Sequence, residues 1–463
     1  MERPAPPPAH QSWLLGILCV GTVLSGVDLF VVNVGLPAIA AAVDDASLAE
    51  LSWILNVYAI VFAALLVPAG RLADRYGEKG ALLAGLAIFG LASLGGGFAD
   101  QLWQIVAMRG LQAVGAAILV PASLGLVLVA FPPERRTGAV RVWAVAGSVG
   151  AAAGPALGGL MVELSWRWVF LFSAPICLAA MLGTALLAPR VRPDRDAAVP
   201  DLLGGALLAL SVGALTLALV QGEAWAWGSA ATLGSLLFSA LAGAAFLHRS
   251  ARHRAPIVDL RLFANRSFSW ANAAYVLFAA SFGAQLLALT LCLQHGWGWT
   301  PLATGLGLAP GPAVVSVVGL GLAGYTNRLP SGVVAAAGSL FLAAGALLIA
   351  QSLGGDPNYM AQILPGWLLA GAGVGLAIPT FVAVATQSLP AASASTGSAV
   401  VQMSRQIGSV LGVALLVLLL GANGTGSDAI AGAWRWAALL ALFAGAAAWR
   451  ISRAPTGAAG PRA

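Results

Sequence analysis

Apolar runs of about twenty residues recur along the whole of this 463-residue sequence, and runs of that length match the ~30 Å hydrocarbon core of a bilayer. Hydrophobic residues make up 59% of the chain and charged residues 9%, against ~25% charged in soluble domains. A globular chain of this length would leave too much apolar surface in water. The sequence therefore reads as an all-α membrane protein. Its fourteen spans run approximately over 13–36, 51–69, 81–98, 102–130, 142–162, 168–188, 202–221, 229–247, 269–293, 302–323, 332–351, 360–384, 397–420 and 433–450. The 57 glycines suit helix backbones that approach closely in lipid.

The first run, Trp13 to Leu36, contains a carboxylate, Asp28. A charged side chain at mid-bilayer costs roughly 2.5–3.5 kcal/mol on insertion scales, so it needs a partner or a task. Of the 17 acidic residues, Asp28 alone lies clearly inside an apolar span. Cys19, Cys177 and Cys292 are scattered thiols in apolar runs, and they suggest neither a disulfide framework nor a metal site. No metal and no cofactor is expected. A cleavable signal peptide is not expected either, because the first run is long and carries Asp28.

An even number of spans puts both termini on one side. With the N-terminus inside, nineteen of the 23 basic residues fall in inner segments and only Arg167 and Arg435 in outer ones. That bias predicts cytoplasmic termini, and it reads the net charge of +6 as topology rather than as an affinity for nucleic acid. Two inner connections are long. Residues 189–201 are polar and Pro-rich; residues 248–267 alternate basic and apolar residues and suit the inner leaflet. They bracket the seventh and eighth spans, which predicts two related six-helix bundles, 1–188 and 269–463, separated by linkers and an inserted pair at 189–268.

Three motifs carry chemistry. The loop after the second span reads GRLADRYGEKG, with Gly70, Asp74, Arg75, Gly77 and Lys79. Its glycines permit a tight turn, and Asp74 is placed to meet arginines or helix N-terminal amides. One candidate for the latter is SASTG, 393–397, at the start of the thirteenth span, as a latch. The fourth span reads RGLQAVGAAILVP, with Arg109 and Gln112 inside it. The fifth reads GAAAGPALGG; its glycines 150, 154 and 158 lie on one helix face, with Gly159 adjacent, and Pro155 permits a bend.

These stretches resemble the signature motifs of the major facilitator superfamily. DLFVVNVGLP, with Asp28, Asn33 and Pro37, narrows the likeness to the fourteen-span drug:proton antiporters. Val27 and Gly35 stand where that family usually has Leu and Ala, and neither change removes a polar group. SWRWVFLFSAP, PIVDLRLFANRSF and RQIGSVLG also look like family stretches, so the likeness covers essentially the whole chain. It implies a major facilitator fold and multidrug or antibiotic efflux coupled to protons. It also implies that the Gly150, Gly154, Pro155, Gly158, Gly159 stretch keeps the outward path closed.

Depth arithmetic pairs the two charges. Asp28 lies about 22 Å into the first span from the inner side, and Arg109 about 10 Å into the fourth from the outer side, at ~1.5 Å per residue. In a core ~30 Å thick the two depths agree. Two readings stay open: a proton-coupling pair, or a permanent ion pair that fixes helix register. Arg405, entering the thirteenth span beside Gln402 and Gln406, has no acid in any apolar run to meet it; backbone carbonyls or an anionic substrate group would suit it. Asn33, Trp53, Asn56, Tyr58, Gln112, Asn272, Gln285, Gln402 and Arg405 are the candidates for a substrate cavity, although hydrogen bonds between packed helices explain such residues equally well.

The expected function is export of lipophilic drugs, antibiotics or related organic compounds in exchange for protons across the plasma membrane, by a monomer whose partners are substrate, protons and lipids. The alternative is proton-coupled transport of one specific metabolite or lipid on the same fold. An enzyme would need a nucleophile–base set or metal cluster, and an ATP-driven pump a GxxxxGK[ST] loop; neither is found.

Overall fold

The computed structural model describes residues 8–43, 47–189, 201–222, 224–326, 328–354, 356–387, 389, 394–423 and 427–451. All regular structure among them is helical, as lipid requires of a chain that must satisfy its backbone polar groups internally. Among the described residues, thirteen helical stretches, some continued across a break, are long and apolar enough to cross a membrane. The first part of the chain forms α1 (Pro8–Ala42), α2 (Leu48–Tyr76), α3 (Glu78–Gly97), α4 (Leu102–Ala130), α5 (Pro133–Leu164), the short α6 (Trp168–Leu171) and α7 (Ser173–Leu187). A pair follows, α8 (Leu202–Gln221) and α9 (Ala230–Arg252). The remainder forms α10 (Arg266–Leu291), α11 (Pro301–Leu308), α12 (Pro310–Gly321), α13 (Ala323–Thr326), α14 (Ser331–Ser352), α15 (Tyr359–Gln362), α16 (Leu364–Gln387), α17 (Ala394–Asn423) and α18 (Ser427–Trp449).

The fifth expected span is a 32-residue helix, α5, whose first turns carry PERRTGAVR; its apolar part is the shorter Val149–Leu164 stretch, with Glu163 at its end. Three other expected spans are broken. Helix breaks precede α7, α12 and α16, and each of these restarts with a proline (175, 310 or 365) within its first three residues. There the missing N–H is harmless, whereas the ring would clash with a preceding turn.

Local chemistry sets the ends. Ser47 and Glu50 form a reciprocal capping box on α2. Gly77, at φ +100°, makes the turn into α3 that a side chain would resist. Lys79 donates from Nζ to the carbonyls of Ala185 and Ala188 at 2.9 and 2.8 Å, capping the C-terminus of α7. Asp201 accepts from the Gly204 amide at the start of α8 and from Arg249 Nε at 2.6 Å, tying α8 to α9.

Two seams repeat one device. Helix α1 packs on α5, and a Cβ on Gly150, Gly154 or Gly158 would lie 2.6 Å from Val23 O, 2.9 Å from Phe30 Cβ or 2.8 Å from Val31 Cα. Helix α10 packs on α17 in the same manner, with Gly408 and Gly412 against the backbones of Val276 and Ala280. Four-residue spacing puts each set on one face, so the backbones meet without intervening side chains. Helices α2 and α17 pack together, α5 packs on α11 and α12, and α8 reaches both α2 and α17.

Candidate functional site: a buried ion pair and an unpaired arginine

Asp28 and Arg109 meet. Arg109 Nη1 donates to Asp28 Oδ2 at 2.7 Å, and the two side chains are 2% and 1% exposed. The same nitrogen donates to Gln112 Oε1 at 2.6 Å, while Nε donates to the carbonyl of Ile54 on α2 at 3.1 Å. Gln112 Nε2 passes the chain on to Ser93 Oγ at 2.9 Å, and Ser93 donates to Phe89 O. The Tyr58 ring lies 4.2 Å from the guanidinium carbon, a cation–π contact with a buried cation. Helices α1, α2 and α4 thus meet at one guanidinium, and α3 is joined to it through Gln112. Satisfying so many donors is what makes a buried charge tolerable.

The acid is less completely satisfied. Asp28 Oδ1 is buried and has no hydrogen-bond partner among the described residues. One oxygen is therefore committed to Arg109 and the other is left as a proton acceptor. That is the chemistry this arrangement offers: a carboxyl able to gain a proton and, with it, lose its hold on a neighbouring helix.

Five residues along α1 the chain meets its other half. Thr290 Oγ1 on α10 donates to Asn33 Oδ1 at 2.6 Å, and Gln294 Nε2 donates to Val34 O at 3.0 Å. Gln294 sits in the π-helical turn Cys292–Gly296 that ends α10, a local widening common at functional positions. Beside this contact a Cβ on Gly159 would lie 2.6 Å from Leu302 Cα, and one on Gly305 would collide with the Pro155 carbonyl. The glycine stretch of α5 thus has two faces, one on α1 and one on α11.

The other candidates fall into place separately. Arg405 stands on α17 next to Ser404, whose hydroxyl donates to Asn272 Oδ1 at 2.8 Å. No ion pair among the described residues includes Arg405, and its Nε is buried without a partner. Gln285 is buried and donates to Ser281 Oγ at 2.9 Å, with its own oxygen unpaired; Asn56 Nδ2 reaches Ser52 Oγ at 3.4 Å. Gln402 is half-buried. Trp53 turns elsewhere, into a groove of about 490 Å³ that it lines with residues of α8 and α9, among them Leu210 and Phe238. The latch between Asp74 and 393–397 lies outside the described residues, since neither the Asp74 side chain nor Ser393 is among them. Sequence reasoning did not single out Ser93, Ile54 O or Thr290 as site residues. Ser93 and Thr290 gave only the signal of a lone hydroxyl in an apolar run, and the Ile54 carbonyl gave none.

A family model described as the Major Facilitator Superfamily matches residues 18–413. The chain is 34% identical over 421 residues to the cephamycin export protein CmcT of Amycolatopsis lactamdurans, covering 90% of this chain and 86% of that one. It is 33% identical over 420 residues to the multidrug resistance protein Stp of Mycobacterium tuberculosis, covering 89% and 77%. Among solved structures, a bacterial homologue of the human lysosomal transporter Spinster, inward-facing and unoccupied, superimposes with a TM-score of 0.69 at 18% identity over 97% of this chain and 98% of that one. At that identity the likeness speaks to the fold.

Proposed function

The chain belongs to the Major Facilitator Superfamily, and from that premise we propose that it is a proton-coupled exporter of lipophilic drugs, antibiotics or related organic compounds. It is a transporter rather than an enzyme. Relatives named for cephamycin export and multidrug resistance support the direction and the substrate class. The observation that carries proton coupling is the Asp28–Arg109 pair, with one carboxylate oxygen bound to the guanidinium and the other buried and unpaired.

The working cycle follows from what α1 touches. Ionised Asp28 ties α1 to α4 through Arg109. Protonation removes the charge that holds this contact, while Arg109 keeps Gln112 and the Ile54 carbonyl. Since α1 also carries Asn33 and Val34, and α5 follows α1 along the glycine seam, a shift of α1 reaches the contacts to α10 and α11. Those contacts lie at the end that the basic residues assign to the outside, so the molecule is in an outward-closed state. Two bundles, 1–188 and 269–463, rock about the site, and the segment 189–268 adds two spans to give fourteen, with both termini cytoplasmic in a plasma-membrane monomer. The motifs at Gly70–Gly80 and Gly150–Gly159 act as hinges and closures between conformations.

Everted membrane vesicles test the reading. With a respiration-driven pH gradient reported by an amine dye, adding a transported compound should release protons and restore fluorescence. A broad panel of lipophilic antibiotics that is never moved, and never dissipates the gradient, would overturn it.

A further inference from the structure

Of the three charges read as deep within the spans, Asp28 is matched by Arg109, and Arg405 has no ion-pair partner among the described residues. Its position is built rather than accidental. Ser404 Oγ holds Asn272, and Asn272 Nδ2 holds Phe268 O at 2.8 Å, fixing α17 to α10 one residue before the arginine. Three residues beyond it, Gly408 brings the two backbones together at Val276.

Arg405 lies six residues inside the apolar window Ala399–Leu420, about 9 Å beyond its edge. Tyr275 on α10 is fully buried, its hydroxyl has no partner among the described residues, and its ring stacks on Phe381 with centroids 4.8 Å apart. Tyr58 belongs to α2, which also packs on α17, and its ring already lies on Arg109. Tyr275 sits between Asn272 and Val276, the two α10 residues that Ser404 and Gly408 of α17 touch on either side of Arg405. A cation with an unpaired Nε and an unpaired phenol hydroxyl on a stacked ring thus lie along the seam of α10 and α17, and α17 also packs on α2.

We propose that Arg405, together with the Tyr275 hydroxyl on the helix packed against it, receives an anionic group, a carboxylate on an otherwise lipophilic aromatic compound. The assignment rests on the export reading and names its substrate class. A carboxylate would supply the missing counter-charge and accept from both donors in a water-poor setting, where charge-assisted hydrogen bonds are strongest. Cationic compounds would meet uncompensated positive charge.

Binding to the purified full-length protein in neutral detergent, read by tryptophan fluorescence, tests this without requiring transport. The probes are benzylpenicillin and anthraquinone-2-carboxylate, each beside its methyl ester, with tetraphenylphosphonium as the cation. Wild type should hold an acid at least about tenfold more tightly than its ester. Arg405→Gln should weaken the acid by about 10- to 100-fold and leave the ester unchanged; Arg405→Lys should retain most of the preference, and Tyr275→Phe should lose about 3- to 10-fold on the acid alone. Gel filtration and thermal unfolding report whether each variant is folded. The proposal is overturned if wild type binds neither acid, if ester or cation binds as well as the acid, or if folded Arg405→Gln keeps the preference. Displacement of the acids by phosphatidylglycerol at equal concentration would assign the site to a lipid headgroup and also overturn it. If esters or the cation are pumped into everted vesicles in an Asp28-dependent way, export stands and only the anion assignment falls.

Discussion

Asp28 and Arg109 are partners, yet the two side chains are not equivalent in what their loss would leave behind. Replacing Arg109 by Gln strands a carboxylate that is 1% exposed, and breaking a buried pair in this way costs about 3–5 kcal/mol. Replacing Asp28 by Asn leaves Arg109 bonded to Gln112 and Ile54 O, so the loss should be smaller. The double variant Asp28→Asn, Arg109→Gln should unfold closer to wild type than Arg109→Gln alone, as measured by thermal unfolding in detergent. A double variant less stable than Arg109→Gln would mean that the pair is not a unit. The pairing itself was legible in the sequence, because helical rise converts residue number into depth and two charges came out level. The rest of the site was not. Whether the Tyr58 ring lies on the guanidinium, and whether Gln112 faces a cavity or bridges to Ser93, depends on helix rotation, which an all-apolar neighbourhood leaves unmarked.

At the scale of elements, the glycine face of α5 was readable from its four-residue spacing, whereas its partner α1 was not named by any local pattern. The second face of α5 was hidden. The contact of Gly159 and Pro155 with α11 joins segments over 140 residues apart in sequence, and no local pattern announces it. Gly158→Leu should push α1 from α5 and lower transport by at least tenfold while the protein still inserts, since a Cβ there already meets Val31 Cα at 2.8 Å. Vesicle transport normalised to membrane-inserted protein measures this. The linkers were read from polarity alone, yet Asp201, at the end of one, became a buried clamp. Burial raises its carboxyl, but the Gly204 amide and the Arg249 guanidinium outweigh it and hold the group below the usual carboxylate range. A folded-state value below the unfolded one stabilises above about pH 4, and that stability fades as pH falls through the folded value. The difference in unfolding temperature between wild type and Asp201→Asn should therefore be full near pH 7 and shrink below about pH 4. A difference that does not change with pH would show that Asp201 acts only as a helix cap.

For the whole molecule, composition and periodicity disclosed the helices and their order, and the family motifs disclosed the fold. They were silent on conformation, because a sequence serves every state of a moving transporter equally. The contacts of Asn33 with Thr290 and of Gln294 with Val34 O join the two parts of the chain at one end, the outer one in the proposed topology. Asn33→Cys combined with Thr290→Cys should form a disulfide under mild oxidation and stop transport, with activity restored by reductant. Free transport in the cross-linked protein would mean that this end never opens. Coupling is the claim on which the rest depends, and it is tested most directly in proteoliposomes under an imposed pH gradient, comparing wild type with Asp28→Asn for substrate accumulation and proton flux together. The account predicts that wild type concentrates substrate above its medium level with accompanying proton movement, while Asp28→Asn only equilibrates it. Uphill accumulation by Asp28→Asn would contradict the account.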